Sequence, residues 1–223
     1  MAVVGIAHIG KMGFSIADAL IRSGHEVLSA CGGRSEETRA RAEKIGTREV
    51  EKLTSLFDES EFMFSIGSGM VHGEYAVWNE EAQDMLTRDG NYPKAIDFPM
   101  IRAAINADFQ GIYVDCNWFH EQHWELLRTV SKELPSYVEC AIYGWPVGDE
   151  RDLSGTLGRI MWLSGDDEAP VGRLFKKGCG MNLQPLPLGA SALEHKEYVT
   201  HGSGLTERIA ADDKVRSSSV GDC

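Results

Sequence analysis

No apolar run in this 223-residue sequence approaches the eighteen residues that a membrane-spanning helix needs, so no segment is expected to cross a bilayer. A run of Lys and Arg is missing as well. The 22 basic residues face 34 acidic ones, giving a formal net charge of −12. A chain this acidic repels phosphate backbones, which argues against nucleic acid as a partner. Cysteine is sparse: Cys31, Cys116, Cys140, Cys179 and Cys223 are an odd number, far apart, with no CxxC pair. That pattern fits reduced thiols in the cytoplasm better than a disulfide framework or a zinc site. No secretion signal is visible, because the first apolar run, Ala2–Ala7, is cut short by His8, Gly10 and Lys11. No internal repeat is found, and 43% hydrophobic with 25% charged residues is the balance of a globular domain.

The chain alternates short apolar runs with helical patterns. Strands are expected at Ala2–Ala7, His25–Ala30, Thr47–Val50, Phe62–Ile66, Gly111–Cys116, Tyr137–Tyr143, Arg159–Ser164 and Leu183–Leu186. Met12–Ser23 carries Met12, Ile16, Ala19 and Leu20 at helical spacing, and Gly24 stops it. Ser35 is an N-cap for a polar helix over Glu36–Lys44. Further helices are expected at Glu51–Phe57, Phe119–Leu134 and Asp167–Lys177. Strands alternating with helices imply an α/β fold, with a mostly parallel sheet covered on both faces. Between Val71 and Asp108 the rhythm breaks, and a helix plus an inserted surface loop is expected there. The residues after Thr200 are rich in Gly and Ser and read as a frayed tail.

Val4-Gly5-Ile6-Ala7-His8-Ile9-Gly10-Lys11-Met12-Gly13 is the most informative stretch. A strand enters a glycine turn that opens a helix, which is the context of a dinucleotide-binding, Rossmann-type site. Gly10 allows backbone N–H groups to approach a pyrophosphate, and Gly13 allows helix and strand to pack closely. The match to GxGxxG is incomplete, since His8 holds the first glycine position. An NAD site carries an acid about 20 residues on, for the ribose 2′-hydroxyl. Here the second strand ends in Cys31-Gly32-Gly33-Arg34-Ser35, with no acid before Glu36. Arg34 can pair bidentately with a 2′-phosphate, and Ser35 can add a hydroxyl and a helix N-terminus, which favours NADP (NADPH).

These residues, with Ser23-Gly24-His25-Glu26-Val27, resemble the superfamily of 6-phosphogluconate and 3-hydroxyisobutyrate dehydrogenases. Gly33–Ala42, Tyr113–Asn117 and Ile160–Gly165 look closest to its phosphogluconate-dehydrogenase-like NAD-binding branch. The resemblance covers roughly residues 3–195 without the insertion after Gly69. It implies hydride transfer between the nicotinamide and a small hydroxyacid, ketone or imine. It also implies that Ile66, Gly67 and Ser68 line the cofactor and that Asn117 lies by the nicotinamide.

Departures from that pattern matter as much. Relatives carry a catalytic lysine on the first helix after the Rossmann-type domain. The position aligned with it here is Glu194, and Lys196 is two residues on, about 200° around a helix. Where relatives have Ser-Gly-Gly, this chain has Tyr143-Gly144-Trp145, so Tyr143 can replace the serine as a proton source or be an aromatic at a strand end. Asn117, Tyr143 and Lys196 are the candidate catalytic residues. Relatives continue into a helical domain, whereas little chain follows Gly189 here. The expected division is an NADP-binding domain over 1–188 and an incomplete helical appendage over 189–223. An uncovered face favours a homodimer.

Other constellations are weaker. His120-Glu121-Gln122-His123 spaces its histidines at i and i+3 rather than i and i+4 and reads as helix surface, so no metal site is expected. Gly67-Ser68-Gly69 is not a GxSxG elbow. His72 could face the nicotinamide. Cys116 reads as a small buried thiol and Asp166-Asp167-Glu168 as first-turn acids of a helix. The expected activity is an NADP-dependent oxidoreductase on a small-molecule substrate; the alternative is an NADP-binding or partner protein without turnover.

Overall fold

Val3–Ile6 forms strand β1, four residues whose three β-branched members, Val3, Val4 and Ile6, suit a pleated surface buried on both faces. The computed structural model describes residues 1–7, 9–32, 34–67, 98–117, 119, 124–144, 146, 159–186, 191–193 and 195, and the backbone of short strands between 70 and 86. After β1 come helix α1 (Lys11–Arg22), β2 (Glu26–Ser29), α2 (Glu36–Ile45), β3 (Arg48–Glu49), α3 (Leu53–Glu59) and β4 (Phe62–Ser65). The next stretch holds β5 (Met70–Val71), β6 (Glu74–Tyr75), β7 (Val77–Asn79), β8 (Asp84–Leu86) and α4 (Pro99–Asn106). The chain continues through β9 (Ile112–Asp115), α5 (Trp124–Ser131), β10 (Tyr137–Tyr143), β11 (Arg159–Ser164), α6 (Glu168–Gly172) and β12 (Met181–Pro185).

Eight strands form one sheet in the order β12-β11-β10-β9-β4-β1-β2-β3. The chain builds outward from β1 to β2 and β3, then crosses back to place β4 on the other side of β1. From β3 to β10 every neighbouring pair is parallel, while β11 runs antiparallel to β10 and parallel to β12. The expected doubly wound, mostly parallel α/β sheet is therefore what the chain forms. Antiparallel neighbours need no crossover helix.

Each face of the sheet has its own core. Val4, Ile6, Phe64, Val114 and Met161 pack with Ile16, Ala17 and Leu20 of α1 and with Val171 and Leu174 by α6. On the opposite face Met63, Leu28 and Tyr113 pack with Leu56 and Phe57 of α3, Ile101 of α4 and Leu127 of α5. Leu193, beyond β12, joins that second core.

Several boundaries differ from expectation. Gly24 does end α1, at φ +90, where the αL conformation costs a glycine nothing. The helix of the 71–108 stretch is α4, late in the segment, opened by Phe98 in the left-handed region and Pro99. Two small antiparallel pairs, β5–β6 and β7–β8, were not foreseen. Phe119 lies outside α5, and α6 stops at Gly172 rather than at Lys177. The strand expected at Leu183–Leu186 begins earlier, at Met181. The loop 88–97 and the tail after Thr200 lie outside the described residues.

Candidate active site at the sheet's switch point

Strand order reverses between β1 and β4, and the C-terminal ends of these two strands bound a crevice. In open α/β sheets, ligands bind at such a switch point. The turn after β1 leads into α1 there. Ile9 is buried, and Gly10 is the N-cap in extended conformation and, as a glycine, has no side chain to cap the helix. The first N–H groups of a helix have no acceptor within it. A Cβ built on Gly10 would meet nothing within 4 Å, so open space lies in front of this helix end. A pyrophosphate fits these features: uncapped N–H groups, the positive end of a helix dipole and room beside a glycine. Lys11 is exposed, Met12 packs partly against the α1-face core, and Gly13 is buried, as close helix–strand packing demands. His8 lies outside the described residues.

At the end of β2, Arg34 is exposed, and its backbone N–H closes a turn onto the Cys31 carbonyl at 3.0 Å. Ser35 N-caps α2, its Oγ accepting from the Thr38 N–H at 3.3 Å. The hydroxyl proposed for a phosphate is thus already in use as an acceptor, although a hydroxyl retains its own proton to donate. Gly33 lies outside the described residues. Arg41, which the sequence did not single out, ties α2 to the turn. Its Nε donates to the Ile9 carbonyl at 3.3 Å, and its guanidinium pairs with Glu37 at 2.5 Å.

On the β4 side Ile66 is buried and Gly67 half-buried, just beyond the C-terminal end of the strand. Asn117 binds this side together. Its Oδ1 accepts the Gly67 N–H at 2.6 Å, and its Nδ2 donates to Ser65 Oγ at 2.8 Å and to Asp115 Oδ1 at 2.7 Å. Its own N–H also donates to Asp115 Oδ1, at 3.0 Å. Both side-chain amide hydrogens are therefore committed within the protein, which suits a positioning group better than a donor to substrate. Asp115 is buried, and burial first, then the nearby Glu139, pushes its carboxyl up to about 7 against the lowering effect of the Asn117 hydrogen bonds. Ser68 and His72 lie outside the described residues.

Tyr143 stands apart from this cluster. It is exposed at the end of β10, two strands beyond β4, with its ring 5.8 Å from that of Trp162. His195 packs edge-on against Trp162, with ring centroids 4.9 Å apart. Ala192, Leu193 and His195 are helical, so the segment after β12 lies over β10 and β11. The sequence signal for His195 was its place beside Glu194 in the segment aligned with the lysine-bearing helix. Glu194 and Lys196 lie outside the described residues.

A second cleft, of about 600 Å³, opens at the other end of the strands, between α5, the start of β10 and the end of β11. Glu139 lines it, but its Oε2 accepts from Ser191 Oγ at 2.5 Å, Ser164 Oγ at 3.3 Å and the Leu193 N–H at 3.2 Å. This carboxylate anchors the start of the final helical segment. Among the described residues no three His, Cys, Asp or Glu gather as a metal site, and no helix is long and apolar enough to cross a membrane. His120 and His123 lie outside the described residues.

The architecture and its crevice define a Rossmann-type α/β fold of the kind seen in dehydrogenases. A conserved protein of unknown function, described as structurally similar to 3-hydroxyacid dehydrogenases, superposes with a TM-score of 0.57 at 19% identity, over 98% of this chain and 83% of its own. An imine reductase from Myxococcus stipitatus in complex with NADP+ gives 0.55 at 15% identity, over 99% and 68%. An imine reductase from Bacillus cereus gives 0.53 at 12% identity, over 89% of this chain and 59% of that one. This chain thus spans about three fifths of the Bacillus cereus enzyme's length. At these identities the likeness is one of fold. No family model matches the sequence, and no curated protein matches it.

Proposed function

We propose that the chain is an NADP-dependent oxidoreductase. The observation that carries this reading is the uncapped N-terminus of α1 opening on the switch-point crevice between β1 and β4. The bound cofactor would supply a hydride at its nicotinamide, exchanged with the carbon of a small hydroxyacid, ketone or imine. The protein's part is to hold it. The turn Ile9–Gly13 receives the pyrophosphate, and Arg34 meets the 2′-phosphate at the end of β2, where no acid precedes Glu36. Gly67 and Asn117 border the nicotinamide half. Tyr143 and Lys196 are the proton-source candidates. The structural neighbours support the reading, one of them being an imine reductase in complex with NADP+. A homodimer working in the cytoplasm, with residues 189–223 as an appendage to the domain 1–188, belongs to the same proposal.

A second reading is an NADP-binding or partner protein without turnover. What favours it is the saturated Asn117 amide together with the exposed, distant placement of Tyr143. Calorimetric titration with NADPH and separately with NADH tests the shared core of both readings. Tight NADPH binding and weak NADH binding are expected. Binding of neither would overturn both readings. Turnover with carbonyl or imine substrates then separates the enzyme from the binding protein.

A further inference from the structure

A buried polar row crosses the sheet behind the crevice. Ser65 on β4, Asp115 on β9, Glu139 on β10 and Ser164 on β11 are successive cross-strand partners, so all four leave the same face of the sheet. All four are buried. Within this row the two oxygens of Asp115 differ. Oδ1 accepts twice from Asn117, whereas Oδ2 is buried with no hydrogen bond of ordinary geometry. The rings of Tyr113 and Tyr137 stack at 6.1 Å, and their buried hydroxyls lie beside Ser65 and the Asp115 carboxyl respectively without a hydrogen bond of ordinary geometry. The groups that face the carboxyl are Tyr113 from its own strand, Tyr137 and Glu139 from β10, Ser65 from β4, and Asn117, while Cys116, just after β9, packs against the core of the opposite face. None of these is a cation. The helices over this face contribute apolar side chains, Leu56, Ile101 and Leu127 among them. An ionised carboxylate here is desolvated, with Asn117 and the Tyr137 hydroxyl as its neighbouring donors and no cation among the groups that face it, so it gains from any positive charge brought near it.

The cofactor reading places such a charge nearby. With the pyrophosphate at α1 and the adenosine half toward β2, the nicotinamide half falls on the β4 and β9 side. Its ring is cationic when oxidised and neutral when reduced. We propose that Asp115 is the positioning residue of the nicotinamide half: it holds Asn117, which holds the Gly67 amide, and its ionised form favours the oxidised ring over the reduced one. This inference rests on the dinucleotide reading of the crevice. Because linkage is reciprocal, the oxidised cofactor draws the proton off Asp115, and raising the pH strengthens oxidised relative to reduced binding. Burial keeps this titration near neutrality, at about 7. The 2′-phosphate also titrates, but it does so in both redox forms, so the ratio of the two affinities isolates the ring's charge.

The test is the dissociation constants of NADP+ and NADPH between pH 5.5 and 9, by calorimetry and nucleotide fluorescence, for wild type, Asp115→Asn and Asp115→Ala. In the wild type the affinity ratio should move toward NADP+ by roughly tenfold across this range. Asp115→Asn keeps an acceptor for Asn117, so it should bind both forms with a ratio that no longer depends on pH. Asp115→Ala, checked for folding by circular dichroism, should bind both forms about tenfold more weakly, and the Asn variant should rescue that affinity but not the pH dependence. A flat wild-type ratio, or a pH dependence that survives in Asp115→Asn, would overturn this inference while leaving the cofactor reading intact. Binding of neither form by the wild type would overturn both.

Discussion

The Asn117 side chain accepts the Gly67 amide at 2.6 Å, joining the end of β9 to the end of β4 across fifty residues of sequence. With Nδ2 on Ser65 and Asp115, the same side chain fixes three points around the crevice. Asparagine suits this place because one planar amide offers an acceptor and two donors in fixed directions.

Asn117→Ala should therefore cost stability as well as function. It leaves the half-buried Gly67 N–H and buried Ser65 without this partner and takes from Asp115 the side-chain bond while the backbone N–H of residue 117 still donates to it; each orphaned group costs about 1–3 kcal/mol. A fall of about 2 kcal/mol or more in unfolding free energy, measured in urea, is expected alongside weaker NADPH binding. Unchanged stability would mean that water satisfies these groups equally well.

Arg34→Ala should weaken NADPH binding by about 1.5–3 kcal/mol, the scale of a charge-assisted phosphate contact, and leave NADH almost untouched. Calorimetry on the two nucleotides decides it. Equal losses for both would remove the 2′-phosphate role and return Arg34 to the solvated loop at the end of β2.

Asp115 gives the folded protein a pH dependence of a definite sign. Below about pH 4 its carboxyl is protonated in folded and unfolded chains alike. Between there and about pH 7 the folded chain holds a proton that the unfolded chain has released, so this group makes stability fall as pH rises. Melting temperatures of wild type and Asp115→Asn should accordingly diverge as pH rises from 5 to 8, with the wild type losing more. Parallel curves would show that the carboxyl titrates as it does in water.

Much of this was legible in the sequence, for reasons that can be named. The turn at Gly10 and the helix after it announce themselves, because an apolar strand changes to a 3.6-residue period across a glycine. Ser35 was legible as the N-cap of α2, because a hydroxyl before a run of helix formers satisfies a first-turn N–H. The hydrogen bonds of Asn117 were not legible, since its partners Ser65 and Gly67 lie on and just after another strand and meet it only through the β4–β9 pairing. Asp115 and Glu139 left a signal that was not used. Each is an acid at an inward position of an apolar strand, IYVD and YVECAIY, where a charge demands a partner. The pairs β5–β6 and β7–β8 were not legible, because two- and three-residue strands carry no period.

Tyr143→Phe tests whether the exposed end of β10 takes part in chemistry. The ring's contact with Trp162 needs no hydroxyl, so folding and NADPH affinity should stay at wild-type values. If the phenol donates a proton, turnover on a carbonyl or imine substrate should drop by 10²-fold or more, the scale of general acid catalysis. Unaltered kinetics would leave Tyr143 as packing for Trp162.

Glu139 makes the last prediction, and it concerns the final helical segment rather than the crevice. Its Oε2 gathers Ser191 Oγ, Ser164 Oγ and the Leu193 N–H, while Ser164 Oγ also accepts the Ala192 N–H at 3.0 Å. A buried carboxylate thus stands where a helix start has N–H groups to satisfy and a positive dipole end to neutralise. Glu139→Ala removes all three bonds and opens a space beside Ala192 and Leu193, both buried. The variant should lose about 2–4 kcal/mol of stability, and hydrogen exchange at Leu193 should accelerate before that of β10 does. Glu139→Gln retains an acceptor for the Leu193 N–H and should recover part of the loss. If Leu193 exchanges at the wild-type rate in Glu139→Ala, the segment is held by Leu193's own burial in the core and the carboxylate is not its anchor.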